Sequence, residues 1–164
     1  MEVQIVPAGI DDRDRLANLL AFYVYDFSEI LDIDVGDDGR FALPALGHYW
    51  TEAGHHPYLI RADGKLAGFA LVQERSRLTG EDGVRDMAEF FVMRRYRRRG
   101  IGDRAARALF DRFRGRWEVR QKPENVAATA FWRRAIAGYT DRFEDVVWDD
   151  DRWHGPVQRF DSKK

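Results

Sequence analysis

Apolar and polar positions alternate along "EVQIVPA", residues 2–8, with the two-residue period of a β-strand (β1). After "GIDD" the period changes. Leu16, Leu19, Leu20, Tyr23 and Phe27 recur every three or four residues, which predicts a helix (α1) with Asp11 or Asp12 as its cap. An acidic stretch follows, predicted to hold a short helix or turn and to end in the loop "GDDG". "LPALGHYWTEAG", residues 43–54, reads as a short helix (α2) begun by Pro44 and stopped by Gly54. Two apolar runs, 57–62 (β2) and 65–74 (β3), are separated by Asp63-Gly64, a favoured hairpin pair. A long strand spans about Val84 to Met93 (β4). The next helix (α3) places Ile101, Ala105, Ala108, Leu109 and Phe113 on one stripe with arginines opposite. "RWEVRQ" (β5) is a strand, and Asn125 is a good cap for the last helix (α4). "DRFEDVVW" (β6) and "GPVQRF" (β7) close the chain.

The order is therefore β1-α1-α2-β2-β3-β4-α3-β5-α4-β6-β7, with antiparallel hairpins first and a parallel crossover at β4-α3-β5. This predicts a mixed α/β (α+β) fold: a seven-stranded sheet with helices on both faces, in one domain over residues 1–164.

Composition narrows the chemistry. The chain has no cysteine, which excludes disulfides, a thiol nucleophile and thiolate zinc sites, and suits a reducing, cytoplasmic setting. No run approaches the ~18 apolar residues of a membrane span, and the acidic start is unlike a signal peptide, so no membrane partner is expected. The four histidines, His48, His55, His56 and His154, lack a metal-ligand spacing. "DIDVGDDG" lacks the glutamate that closes a calcium loop, its twelfth position being Leu43. No metal is expected.

The net charge of -1 conceals a polarity. Between Arg85 and Arg120 stand twelve arginines against five acids, whereas Asp26 to Asp38 holds six acids and no base. The arginines crowd into "FFVMRRYRRRGIGD", where a strand meets a helix through Gly100 and Gly102. The first amides of a helix have no partner within it, and glycine lets an anion approach them. Arg97-x-x-Gly100-x-Gly102 is thus suited to phosphate. It is neither a dinucleotide fingerprint nor a nucleoside-triphosphate loop. A basic face for nucleic acid is the competing reading. It leaves the glycines unexplained, so no nucleic-acid partner is expected.

This constellation resembles the GNAT superfamily of acyl-CoA-dependent N-acyltransferases. The family signature, Arg/Gln-x-x-Gly-x-Gly/Ala, follows a strand ending roughly Val-x-Pro-x-Tyr. Val92 and Tyr96 occupy the matching positions, and Arg94 replaces the proline. A second segment, Asn125, Ala128 and Phe131 with a later Gly138-Tyr139, is similar to the family's Asn-x-x-Ala-x-x-Phe/Leu-Tyr and Gly-Phe. Trp132 stands at the usual tyrosine, and Gly138-Tyr139 comes two residues late. The element order is also the family's.

The resemblance implies an N-acetyltransferase that uses acetyl-CoA as co-substrate. Arg97, Arg98, Arg99, Gly100, Ile101, Gly102 and Asp103 would hold its pyrophosphate. The strand edge at Phe91, Val92 and Met93 would pair with the pantetheine amides. Asn125, Phe131 and Trp132 would border the arm. An amine of pKa about 10.4 must lose a proton before it attacks. Glu118 matches a base of ribosomal-protein acetyltransferases; Asp86, Glu89 and Glu29 are alternatives. Asp86 and Glu89 lie three positions apart, an odd step along a strand, so only one should face the cleft. Tyr139, Tyr96 or solvent would protonate the leaving thiolate, which an indole N–H cannot do. The acids of 26–38 and Tyr25, Phe27, Trp50 and Trp148 suggest a cleft for a cationic or amine-bearing small molecule or peptide. Relatives suggest a homodimer. A CoA-binding module without transferase activity is the alternative, resting on Trp132.

Overall fold

The computed structural model describes residues 1–163. The strands are β1 (Val3–Pro7), β2 (His55–Ala62), β3 (Lys65–Arg75), β4 (Asp82–Val92), β5 (Arg116–Arg120), β6 (Phe143–Asp149) and β7 (His154–Asp161). The helices are α1 (Arg13–Phe27), α2 (His48–Thr51), α3 (Ile101–Arg112) and α4 (Val126–Ala137). All seven strands form one sheet in the order β1-β2-β3-β4-β5-β7-β6. Every pairing is antiparallel except β4 with β5.

The helices cover both faces, as the element order predicts. On one face α1, α2 and the segment before α2 bury Leu16, Leu19, Leu20, Leu46 and Tyr49 against Leu59, Phe69, Leu71 and Phe91. On the other, α3 and α4 bury Leu109, Phe110, Trp132 and Ile136 against Tyr58, Val72, Met87 and Trp117. The buried stripe of α3 includes Ala106 and Phe110, while Ala108 lies at its margin. Phe110 turns inward because it packs edge-on against Trp117, Tyr139 and Phe160.

Local details follow the chemistry of the turns. Asp63 (φ 48°) and Gly64 (φ 75°) both adopt the left-handed region, as a two-residue hairpin of this hand requires. Asn125 caps α4 by accepting from the Ala128 N–H at 3.2 Å. Asp12 does not cap α1 with its side chain. It accepts from the Gly9 N–H at 3.1 Å instead, closing the 3₁₀ turn Ile10–Asp12 that precedes the helix. The expected helix from Pro44 contracts to His48–Thr51, and residues 28–30 form only turns.

Gly68 on β3 faces the end of β4 so closely that a Cβ would lie 1.9 Å from the Phe91 carbonyl oxygen. The backbone would have to part to admit it. Gly68→Ala is expected to cost about 3 kcal/mol of stability, the upper end for overpacking. Thermal denaturation of the variant checks this.

Candidate functional site

The sheet is split where β4 and β5 meet. Their parallel pairing is confined to Arg85 with Trp117 and Asp86 with Glu118. Beyond Asp86 the two strands diverge. A β-bulge marks the place: Leu71 on β3 pairs with Glu89 and Val72 with Met87, leaving Ala88 as the extra residue. A bulge bends its strand and increases the local twist.

The bulge also corrects the expected facing of two acids. Met87 and Phe90 belong to the α3–α4 side, whereas Ala88 and Phe91 pack on the α1 side. One extra residue reverses the alternation, so Asp86 and Glu89 point to the same face. Both line one cavity of about 500 Å³ at the mouth of the split.

The two carboxylates differ in their partners. Asp86 is fully buried and held by Arg120 through two hydrogen bonds, 2.8 and 2.9 Å. That guanidinium lies 4.5 Å from the centre of the Trp153 ring. Glu89 accepts a hydrogen bond from the Tyr23 hydroxyl of α1. Burial raises the pKa of Glu89, opposed by the Tyr23 hydrogen bond and by the Arg120 charge. Burial, together with the Glu89 charge, raises that of Tyr23 well above its ordinary value, so the phenol keeps its proton. The remaining walls come from α1 and its following loop (Phe27, Leu31, Ile33), from Leu46 and Tyr49, and from Trp132 and Trp153.

Other expected acids and tyrosines lie elsewhere. Glu118 is buried on β5, accepts from the Ser76 hydroxyl at 2.7 Å and faces Arg159 at 3.7 Å. It does not line the cavity. Burial raises its pKa against both partners. The Tyr139 hydroxyl donates to Asp111 at 2.9 Å; its pKa is pushed up to about 12 by burial and by that carboxylate. Tyr96 is packed among Ile60, Ile101 and Ala105. Neither tyrosine reaches the cavity. Trp132 is both a core residue, 5% exposed, and a cavity wall. Glu29, on the turn after α1, is exposed and also outside the cavity.

Of the four aromatics expected in the cleft, only Phe27 lines it. Trp50 donates to the Ala8 carbonyl at 2.9 Å, Tyr25 is 60% exposed beside Phe41, and Trp148 packs against Arg159. Tyr23, Arg120 and Trp153 are the residues the sequence did not reveal. Tyr23 reads only as one more apolar position of α1, and its carboxylate partner is 66 positions away.

The arginine-glycine turn lies at the start of α3. Gly100 is its cap residue, in the left-handed region with φ 73°, and no side chain caps the helix. Its first amides, at Ile101, Gly102 and Asp103, are free of partners within the helix. Arg98 also has a positive φ, 60°, unusual for a residue with a side chain. At Gly102 a Cβ would approach the Phe131 ring to 3.2 Å and Val92 to 3.6 Å. Phe131 in turn stacks on Phe90 and meets Trp132 edge-on, and both of these line the cavity. The turn and the cavity are thus one aromatic layer apart.

The arginines do not form one continuous face. Arg94 and Arg97 both bind Asp26 at the end of α1. Arg97 also donates from Nε to the Val92 carbonyl at 2.7 Å and lies over the Phe91 ring. Asp103 pairs with Arg107 at 2.8 Å. Arg98 and Arg99 are exposed and have no ion-pair partner among the described residues. At the end of β4 the Met93 N–H donates to the Ala67 carbonyl on β3. Alternation then turns the amide and carbonyl of Val92 toward the split.

The profile of the Acetyltransferase (GNAT) family matches residues 21–139. The chain belongs to this family. Solved GNAT structures share the fold. An acetyltransferase from Thermus thermophilus is 14% identical with a TM-score of 0.69, covering 98% of this chain and 97% of that one. The PaiA N-acetyltransferase from Thermoplasma acidophilum, solved with coenzyme A, is 11% identical with a TM-score of 0.65, covering 98% and 99%. The ribosomal-protein alanine N-acetyltransferase from Escherichia coli is 14% identical with a TM-score of 0.56, covering 99% and 96%. No curated protein matches the sequence. Among the described residues of this GNAT protein, no helix is long and apolar enough to cross a membrane.

Proposed function

We propose that the chain is one N-acetyltransferase domain that moves an acetyl group from acetyl-CoA to a primary amine in a ternary complex, with Glu89 as the base. The observation that carries this reading is the position of Glu89. It sits at the bulge just past the last β4–β5 pair, in the cavity, with its pKa raised and a phenol as its hydrogen-bond partner. A carboxyl raised from its usual range toward the working pH is a better proton acceptor. Asp86, tied twice to Arg120, has no such freedom.

The residues present fit acetyl-CoA. The uncapped start of α3, with a left-handed glycine and a second glycine behind it, offers free amides to a pyrophosphate. Arg98 and Arg99 add unpaired charge beside it. The split edge of β4 around Val92 suits an extended amide-bearing arm, as an added strand would. Bound there, acetyl-CoA supplies a thioester-activated acetyl group. The cavity places the amine against it, and placement alone can supply much of the rate. In the transfer a C–N bond forms at the acetyl carbon and the C–S bond breaks. Glu89 takes the amine's proton, directly or through one water. With Tyr139 and Tyr96 engaged elsewhere, solvent in the open cleft protonates the thiolate.

Two measurements test this. Saturating acetyl-CoA should raise the melting temperature by mass action on the folded state. Thiol release with a panel of amines should then separate an enzyme from a protein that only binds CoA. No thermal shift would remove both readings.

Tyr23→Phe is a finer test. The hydroxyl favours the charged form of Glu89, so its removal raises the carboxyl pKa further. The acidic limb of the pH–rate profile should move to higher pH, with a loss of kcat/KM confined to that limb. An unmoved limb would assign that limb to another group.

A further inference from the structure

The acidic stretch 26–38 suggests a cationic acceptor, but its acids are not in the cavity. Asp26 is consumed by Arg94 and Arg97. From that stretch only the apolar side chains Phe27, Leu31 and Ile33 line the wall. The charged lining is instead Asp86, Glu89, Arg77, Arg120 and Lys122, with His48 beside them. Arg120 neutralises Asp86. Glu89 is engaged by Tyr23 and, in the reading above, receives the amine. Two cations remain, Arg77 on the β3–β4 loop and Lys122 on the β5–α4 loop. Neither has an ion-pair or side-chain hydrogen-bond partner among the described residues. Both line the cavity together with Tyr49 and Glu89. Lys122 also sits 5.7 Å from the centre of the Trp153 ring, on which Arg120 lies.

We propose that the acceptor is a small amino carboxylate with an apolar body, its anionic end held by Arg77 and Lys122 while its amine meets Glu89. The inference rests on the transferase reading. Three features of the cavity match three parts of such a molecule. The unpaired cations at the two loops match a carboxylate. Glu89 matches the amine. Phe27, Leu31, Ile33, Leu46 and Trp153 match an aliphatic or aromatic body. A polyamine would bring several positive charges to a mouth that already carries two unpaired ones, and a cleft focuses that repulsion. The volume of about 500 Å³, shared with the acetyl end of the co-substrate, suits a reacting part the size of a small amino carboxylate.

The test compares acceptors that differ only in the carboxylate. Thiol release from acetyl-CoA is measured with leucine against isoamylamine, with ε-aminocaproate against pentylamine, and with spermidine. The leucine and caproate arms distinguish a carboxylate next to the amine from one at a distance. At least one amino carboxylate should exceed its decarboxylated partner about tenfold in kcat/KM. In Arg77→Ala/Lys122→Ala that advantage should shrink about tenfold, chiefly through KM. Equal or better turnover of the decarboxylated amines or of spermidine would overturn the proposal. Calorimetric titration of leucine and ε-aminocaproate into the CoA-bound protein gives a readout independent of turnover. Binding to the wild type that is lost in the double variant supports the acceptor class even where no amine is acetylated, an outcome that would sink the transferase reading alone. No binding of either compound overturns the acceptor class.

Discussion

Glu89→Gln is expected to lower kcat/KM by about 10²–10³-fold while leaving the affinity for acetyl-CoA unchanged. General-base assistance contributes typically 10²–10⁴-fold. The lower part of that range applies because placement of the amine survives the substitution. Gln is isosteric and its carbonyl can still accept from Tyr23, so the packing around the bulge is retained. The pH dependence separates this from a structural effect. In the wild type, activity should rise with pH as Glu89 loses its proton, along a limb above the ordinary carboxylate range. The variant should lack that limb. The stability change has a defined sign as well. A carboxyl whose folded pKa is raised binds its proton more tightly in the folded state. Its ionisation therefore costs stability as pH rises from the unfolded value through the folded one. Above that window Glu89→Gln should melt no lower than the wild type, and circular dichroism against temperature checks it. A variant that melts normally yet keeps full activity would return the base to another group.

Gly100→Asp is expected to weaken acetyl-CoA binding by at least about 100-fold, or ~2.7 kcal/mol, with the fold intact. The site draws on charge-assisted hydrogen bonds worth about 1.5–3 kcal/mol each and on the helix dipole. A carboxylate at the cap position would occupy those amides itself and repel the phosphates. The substitution also pays for the left-handed backbone, φ 73°, at roughly 1–2 kcal/mol, and Asp is among the side chains that tolerate it best. The nearest side-chain atom to a Cβ there is Arg104 at 3.6 Å, so no clash adds to this. Gly100→Asn incurs a similar backbone strain without the charge, and comparing the two isolates the electrostatic part. Isothermal calorimetry with acetyl-CoA gives both affinities.

Much of the fold was legible in the chain because its signals are local. The Asp63-Gly64 hairpin, the Asn125 cap and the apolar stripe of α1 each follow from a few neighbouring residues. The Gly100-Gly102 turn was legible for the same reason: a strand end, a left-handed position and a helix start are adjacent. The cavity was not. Its central pair joins Tyr23 to Glu89 across 66 positions, and only the packing of α1 on the sheet brings them together. The bulge at Ala88 was also hidden, because it is defined by the register against β3 and not by β4 alone. That single extra residue makes strict alternation fail and puts Asp86 and Glu89 on one face. Charge misled for a similar reason. The acids of 26–38 are dense in sequence, yet the fold turns Asp26 to the arginine turn and sends only apolar neighbours into the cleft.

Amide-resolved NMR during titration with acetyl-CoA tests the central claim most directly, because each backbone donor reports separately. Saturable shifts should be largest at Gly100, Ile101, Gly102 and Asp103, followed by Val92 at the split edge, with smaller changes through Phe131. Saturable binding that leaves the first turn of α3 unmoved would contradict the account.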